Sequence, residues 1–125
     1  MTDSRLIDSS IWLDYLSKGY YKEILESDEI FLLSVLSLFE IKKVMIKNKI
    51  LDKKIEKSID FIKKKSLVIP INNFLAEKAV KISIEKNMAT VDSIIYTSAI
   101  ENDATLITSD NDFRDLKNVI VLNKE

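Results

Sequence analysis

Short apolar runs alternate along the chain with longer segments whose apolar residues recur at helical spacing. In one of them Ile55, Ile59 and Ile62 recur at i, i+4 and i+7, the stripe of an amphipathic helix. The apolar runs predict five strands, at 5–8, 29–34, 67–71, 104–108 and 118–122. The intervening segments predict helices that begin at Ser9 or Ser10 and at about residues 36, 52, 73 and 91.

The predicted ends of these elements depend on a few residues with special backbone preferences. Ser9 or Ser10 is expected to cap the first helix. Asn87 and Asn102 follow the last two helices, and Asn tolerates the left-handed conformation that commonly ends a helix. Pro70 lacks a backbone donor, so the third strand is expected to be an edge strand or to end there.

Strands that alternate with helices predict a parallel sheet with helices on both faces. Right-handed crossovers would make this an α/β fold of the three-layer α/β/α sandwich type. The length of 125 residues and the near absence of Gly and Pro indicate a single domain over residues 1–125. In such sheets ligands bind at the carboxyl ends of the strands, where the strand order reverses.

The composition excludes several kinds of chemistry. The chain has no His and no Cys, which excludes Ser-His-Asp and Cys-His catalysis and an ordinary zinc site. Its single glycine excludes a Walker loop. The apolar run at 30–39 is about half the ~20 residues of a membrane helix. With no secretory signal pattern and no disulfides, the expected location is the cytoplasm, away from membranes.

The charge is distributed unevenly. Ten lysines and three acids lie between residues 42 and 65, although the whole chain has a net charge of −1. One interpretation is a pair of solvated helices with mixed charges. The other is a positive surface that attracts a polyanion such as RNA, with Lys42, Lys43 and Lys47 as candidate contacts.

Two acids follow predicted strands, and a third interrupts an apolar helix. Asp8 ends the first strand and Asp110 follows the fourth, although either residue alone could serve as a cap or turn former. Glu40 lies four residues from both Leu36 and Val44, so a helix would place it on their apolar face. A buried carboxylate there must be paired, protonated or bound to a cation, and Lys43 is one candidate partner.

A fourth acid, Asp92, opens the helix that carries Ile95 and Ala99 at inward positions. It could simply interact favourably with the helix dipole. If the four acids converge above the sheet, however, their mutual repulsion is tolerable only with a bound cation. Carboxylate oxygens suit Mg²⁺ or Mn²⁺, which would activate water for attack on a phosphate ester. Ser9, Ser10 and Thr108 are neighbours in sequence that could orient these acids.

Four segments in this order resemble a PIN domain, and in particular the VapC-type toxins of bacterial and archaeal toxin–antitoxin pairs. They are Leu6–Trp12, Glu40 within its helix, Asp92–Ile95, and Leu106–Phe113. Each motif alone is weak, but the ordered set spans nearly the whole chain. Ser9 stands where Thr is common in the family, and a hydroxyl is retained.

The resemblance implies strand order 3-2-1-4-5 and hydrolysis of RNA phosphodiester bonds by an Mg²⁺- or Mn²⁺-dependent endoribonuclease. It assigns the catalytic and metal-binding roles to Asp8, Glu40, Asp92 and Asp110, with Asp112 as an additional metal ligand.

The resemblance also implies partners. The family suggests a homodimer and inhibition by a cognate antitoxin protein that reaches into the acidic groove. Trp12, Tyr15, Tyr20 and Tyr21 could contribute contacts, although Trp12 is better explained as a core residue.

Other classes of protein share an acidic α/β site. A receiver domain needs an acidic pair after the first strand, and a haloacid-dehalogenase-like phosphatase needs a second Asp two residues after the first. Ser9 and Ser10 follow Asp8 instead, so neither pattern is met. A PIN nuclease that processes RNA outside a toxin–antitoxin system stays open. So does a non-catalytic PIN-like module that binds RNA or protein, although retention of all the acids argues against it.

Overall fold

The computed structural model describes residues 4–123, which form five strands, six α-helices and one 3₁₀ turn. The strands are β1 (Ser4–Ile7), β2 (Phe31–Ser34), β3 (Ser66–Ile69), β4 (Ala104–Thr108) and β5 (Val119–Val121). The helices are α1 (Ser9–Lys18), α2 (Lys22–Leu25), α3 (Val35–Lys47), α4 (Asp52–Lys64), α5 (Asn73–Lys86) and α6 (Thr90–Glu101). The 3₁₀ turn covers Asn111–Phe113.

The five strands form one parallel sheet in the order β3-β2-β1-β4-β5, which confirms the predicted order. The central strand β1 pairs with β2 through Leu6 and Leu32, and with β4 along its whole length. After β1 the chain first extends the sheet on the β2 side and returns to the other side with β4. The carboxyl ends of β1 and β4 therefore flank the switch point where a ligand is expected.

Successive side chains of the two central strands, β1 and β4, point to opposite faces of the sheet and so contribute to two separate core clusters. Ile7 and Ile107 pack in a cluster with the buried faces of α1, α3 and α4. Leu6 and Leu106 point to the opposite face, into a cluster formed with α6. Successive strand residues face opposite sides, so both faces of the sheet are covered by helices. The predicted three-layer α/β/α sandwich is confirmed.

The cap predicted for the first helix is wrong. Asp8 is the N-cap residue of α1, in extended conformation, and its side chain makes no capping hydrogen bond. Ser9 and Ser10 are already inside the helix, and their hydroxyls donate to carboxylates instead. The two serines that suggested a helix cap therefore bind the carboxylates of Glu40 and Asp8.

The ends of α5 and α6 differ from each other. Asn87 has φ 52° and ends α5 in the left-handed conformation, as predicted. Asn102 has φ −106°, so the same prediction is wrong there, and Asp103 takes the left-handed position with φ 52°. The Asn102 side chain donates instead to the carbonyl of Ser98, one turn back in the helix. Asp, like Asn, tolerates this backbone region better than most residues do.

Two short elements lack a periodic signal in the sequence. Helix α2 follows Tyr21, whose φ of 65° lets the chain turn sharply after α1. The 3₁₀ turn after β4 buries Phe113 in the core cluster formed with α6. Both are single turns, too short for a hydrophobic period to be visible. Trp12 is fully buried, which confirms the expected core role.

Candidate metal and catalytic site

The site is built where β1 and β4 end side by side. The backbone N–H of Asp8 donates to the carbonyl of Ile107 at 2.9 Å, which extends the ladder of β1 and β4 by one step. Asp8 therefore leaves the sheet next to Thr108, the last residue of β4. Asp110 follows two residues later, and the first turn of α6 contributes Asp92. The structure thus places these three predicted acids on the same edge of the sheet.

The tightest group of acids consists of Asp92, Asp110 and Asp112. One carboxylate oxygen from each lies within 4.8 Å of the other two. Asp92 and Asp110 are half-buried, whereas Asp112 is exposed. In the described part of the chain, residues 4–123, this is the one group of three acids close enough to share a metal ion by that distance. Asp8 and Glu40 lie beside the group and not within it.

Asp8 is the most buried acid of the site, with 5% of its surface exposed. Its Oδ2 accepts hydrogen bonds from Thr108 Oγ1 at 2.7 Å and from Ser10 Oγ at 2.9 Å. Each hydroxyl has one proton, and both protons are given to the same carboxylate oxygen. The two hydroxyls therefore both bind the Asp8 carboxylate directly.

The same two hydroxyls also accept hydrogen bonds from the backbone after β4. Thr108 Oγ1 accepts from the N–H of Asp110 at 3.0 Å, and Ser10 Oγ accepts from the N–H of Ser109 at 3.1 Å. Asp110 Oδ1 in turn accepts from the N–H of Asp112 at 2.9 Å and caps the 3₁₀ turn. A continuous chain of hydrogen bonds thus links Asp8 to the loop that carries the other two acids.

Glu40 approaches the site from α3 and is half-buried. Ser9 Oγ donates to its Oε1 at 3.0 Å, so its nearest polar partner is a hydroxyl. Burial raises the pKa of Glu40, and the positive charge of Lys43 opposes this rise in part. No ion pair joins Glu40 to Lys43 among residues 4–123.

The face assigned to Glu40 needs correction. The fully buried stripe of α3 is Ser37, Ile41 and Met45, one residue further along than predicted. Leu36, Glu40 and Val44 form the adjacent, half-buried stripe and line an open cleft. Glu40 therefore faces the cleft and not the core, which suits a residue that contacts a ligand.

Burial and mutual repulsion raise the pKa values of the acids. Burial is the main cause of the raised pKa of Asp8, opposed by its hydrogen bonds, and burial also raises the pKa of Glu40. The pKa of Asp92 rises from 3.8 to about 6. Burial contributes most, followed by the negative charges of four neighbouring acids, Asp110, Asp8, Asp112 and Glu40. All four thus act on Asp92 although only two of them belong to the tight group.

A divalent cation with oxygen ligands fits this donor set. Three carboxylate oxygens within 4.8 Å of one another provide negative charge but no nitrogen or sulfur ligand. Such all-oxygen sites suit Mg²⁺ or Mn²⁺ rather than Zn²⁺. A cation would also remove the repulsion that raises the pKa of Asp92. Asp92, Asp110 and Asp112 would hold the ion, with Asp8 and Glu40 next to it.

The candidate RNA-binding lysines lie beside this site. Lys42, Lys43 and Lys47 line a groove between α3 and α4, together with Lys63. We call this the α3–α4 groove. Not every lysine of the 42–65 segment belongs to it. Lys65, for example, donates to the carbonyl of Ser27 and lies over the ring of Phe31, which is a structural role.

Two neighbours of the acids were missed in the sequence. Phe39 lines both the α3–α4 groove and the cleft with Glu40, and 64% of its surface is exposed. On the other side, Lys86 lines a small polar pocket with Asp92 and Asp112. Phe39 could have been identified from the sequence, because it is an aromatic residue that directly precedes the candidate acid Glu40. Lys86 carried no comparable signal, because its position depends on how α5 packs.

The fold and the site together define an α/β protein with an acidic centre at the switch point of a parallel sheet. The model of the PIN domain family matches residues 5–119, so the chain belongs to the PIN-domain family. No curated protein matches the chain.

Solved structures support the fold. A chain of a toxin–antitoxin complex from Klebsiella pneumoniae matches with a TM-score of 0.82 and 21% identity, over 94% of this chain and 97% of that one. A chain of VapBC2 from Rickettsia felis, bound to a promoter DNA fragment, matches with a TM-score of 0.72 and 21% identity, over 95% of this chain and 97% of that one. VapC20 from Mycobacterium tuberculosis, a sarcin-ricin loop cleaving toxin, matches with a TM-score of 0.68 and 16% identity, over 88% of this chain and 92% of that one.

The helices between residues 4 and 123 are short or carry many charged residues. None of them is long and apolar enough to cross a membrane.

Proposed function

We propose that this protein is an Mg²⁺- or Mn²⁺-dependent endoribonuclease that hydrolyses RNA phosphodiester bonds. The single observation that carries the proposal is the group of Asp92, Asp110 and Asp112, whose carboxylate oxygens lie within 4.8 Å of one another at the switch point of the sheet. Membership of the PIN-domain family supports it.

A divalent cation held by these acids would supply positive charge that activates water and stabilises the leaving oxygen. The chain's own residues provide the supporting structure. Thr108 and Ser10 hold the Asp8 carboxylate in one orientation through two hydrogen bonds to Oδ2. Ser9 does the same for Glu40. Because the chain has no His, proton transfer in the reaction would involve other groups, such as carboxylates, hydroxyls, lysines or water.

We further propose that the protein is the toxin of a VapBC-type toxin–antitoxin pair and acts in the cytoplasm. The support is the likeness in fold to chains of toxin–antitoxin complexes, over 94% and 95% of this chain. Its partners would be the RNA substrate, a cognate antitoxin and a second copy of the chain. The antitoxin would have to neutralise or cover the acidic centre to inhibit it.

The proposed activity is tested with purified protein and a labelled single-stranded RNA. Cleavage should require Mg²⁺ or Mn²⁺, stop when EDTA is added and return when excess cation is restored. The matching DNA oligonucleotide should stay intact in the same assay. Cleavage of RNA at the same rate in EDTA would contradict the proposal, and so would no cleavage of any RNA tested with either cation.

Reversing the charge of the groove lysines should weaken RNA binding. Lys42→Glu, Lys43→Glu and Lys47→Glu together remove three cations that line the α3–α4 groove. Each phosphate contact contributes to the slope of log affinity against log salt, so the slope should become shallower by about 0.7 per contact. The measurement is anisotropy of labelled RNA at several salt concentrations.

The matched control makes the same three Lys→Glu changes at Lys53, Lys57 and Lys64, which are exposed on α4 and line neither the groove nor the cleft beside Glu40. Unchanged affinity and salt slope in the groove variant would show that its lysines are merely solvated. Equal losses in both variants would indicate a general charge effect.

A further inference from the structure

We propose that Phe39 is a stacking platform for a nucleobase of a single-stranded RNA, placed beside the acidic centre by α3. This inference rests on the proposed nuclease function and specifies how its substrate is bound. It predicts that the enzyme binds unpaired nucleotides, whose base faces are free, in preference to duplex RNA.

Phe39 is unusual for a phenylalanine in a folded domain because 64% of its surface is exposed. It belongs to neither of the two core clusters. Instead, Lys43 Nζ lies 5.8 Å from the ring centroid. An exposed aromatic ring next to cations is the usual combination in proteins that bind single-stranded nucleic acid.

The charges around Phe39 favour binding of a polyanion over binding of a neutral or cationic partner. The α3–α4 groove is lined by four lysines, Lys42, Lys43, Lys47 and Lys63. No acid is among the described residues that line it. Apolar side chains such as Val35 and Ile46 complete the lining. A groove that offers only cations and apolar surface fits phosphates and bases together.

Phe39 also connects this groove to the acids. The cleft on its other side is lined by Phe39, Glu40, Lys43 and Val91, and Val91 directly precedes Asp92. A nucleotide stacked on Phe39 would therefore lie next to the carboxylates, and its phosphates could pair with Lys43 and Lys47. The stack would bring one phosphodiester bond to the acidic centre and fix its register.

The test compares Phe39→Ala with Phe74→Ala. Phe74 is an equally exposed phenylalanine at 62%, with Lys78 Nζ 5.3 Å from its ring centroid. It lies on α5, however, and lines neither the α3–α4 groove nor the cleft beside Glu40. Anisotropy of labelled single-stranded RNA in EDTA measures binding without cleavage. Phe39→Ala should weaken binding by about fivefold or more, as loss of one base stack does, whereas Phe74→Ala should bind as the parent does.

Two further variants separate stacking from other roles of the side chain. Phe39→Trp should retain binding because it keeps an aromatic face, whereas Phe39→Leu should lose as much as Phe39→Ala. An abasic RNA of the same length should bind the parent and Phe39→Ala equally.

Three outcomes would overturn the proposal. One is parental binding by Phe39→Ala, and another is an equal loss for the abasic RNA. The third is that Phe39→Ala changes only self-association in sedimentation, which would make this face a protein interface. Because binding is measured without cleavage, failure here is distinguishable from failure of the proposed activity, which the cation-dependent cleavage assay reports separately.

Discussion

Replacing Asp92 by Asn should reduce RNA cleavage by about three orders of magnitude or more while the protein stays folded. The amide keeps the shape of the side chain but removes one of the three negative charges that lie within 4.8 Å of one another. The cation proposed for this site would then bind weakly and in a different position. The measurement is the single-turnover cleavage rate in saturating Mg²⁺, with circular dichroism as the test of folding.

The matched control for this variant is Asp60→Asn, which neutralises an exposed acid on α4, far along the chain from the site residues. It should cleave at the parental rate. If Asp92→Asn also cleaves at the parental rate, the acidic group is not the catalytic centre. If both variants lose activity together, the loss reflects net charge and not the site.

The same substitution should stabilise the protein when no metal is present. Repulsion and burial raise the pKa of Asp92 in the fold to about 6, above its ordinary value of 3.8. The folded state therefore holds a proton more tightly than the unfolded chain does. The contribution of this carboxyl to stability is complete below about pH 4 and is lost as the pH rises through about 6.

At pH 7.5 the parent has therefore lost this contribution, whereas Asp92→Asn cannot lose it. We expect the metal-free variant to be more stable by about 1 kcal/mol, after allowance for solvent screening of a half-buried group. The melting temperature should rise by about 4 °C. Thermal unfolding in EDTA at pH 7.5 and at pH 4.5 measures this, and the difference should shrink at the lower pH.

Excess Mn²⁺ should reverse the order, because binding to the folded parent adds stability that the variant gains only weakly. A metal-free variant less stable than the parent at pH 7.5 would show that Asp92 is stabilised by its surroundings and not strained by them. That result would remove the physical reason for expecting a cation.

The sequence predicted the architecture well because its strands are apolar on both sides. β4 is a run bounded by Asp103 and Ser109, and its limits were predicted without error. β1 and β2 were predicted to within two residues at each end. Parallel strands covered on both faces show such runs most clearly. The strand order came from the family resemblance and could not have come from the runs themselves.

The roles of residues that can serve equally well in more than one local structure were predicted less well. Ser9 could cap a helix or bind a carboxylate, and only the packing of α3 against α1 brings Glu40 within 3.0 Å of its hydroxyl. Asn102 and Asp103 both tolerate the left-handed conformation, so their local preferences could not decide between them.

The site itself was partly visible in the sequence. Strand ends predicted where Asp8 and Asp110 would meet, because neighbouring parallel strands end on the same edge. The buried face predicted for α3 was wrong by one residue. The stripe that contains Leu36 and Val44 and the stripe that contains Ile41 and Met45 are both largely apolar, so the sequence did not show which of them is buried. Nothing local distinguished the tight group of Asp92, Asp110 and Asp112 from Asp8 and Glu40, because their separation depends on tertiary packing.

The central claim is that these acids bind a divalent cation, and Mn²⁺ titration followed by electron paramagnetic resonance tests it most directly. The parent at pH 7.5 should bind Mn²⁺ stoichiometrically, Mg²⁺ should compete for the same site, and Asp60→Asn should behave as the parent does. Asp92→Asn and Asp110→Asn should each weaken binding by about 100-fold or more. Binding of Mn²⁺ with equal affinity by the parent and both site variants, or no binding by the parent, would contradict the account.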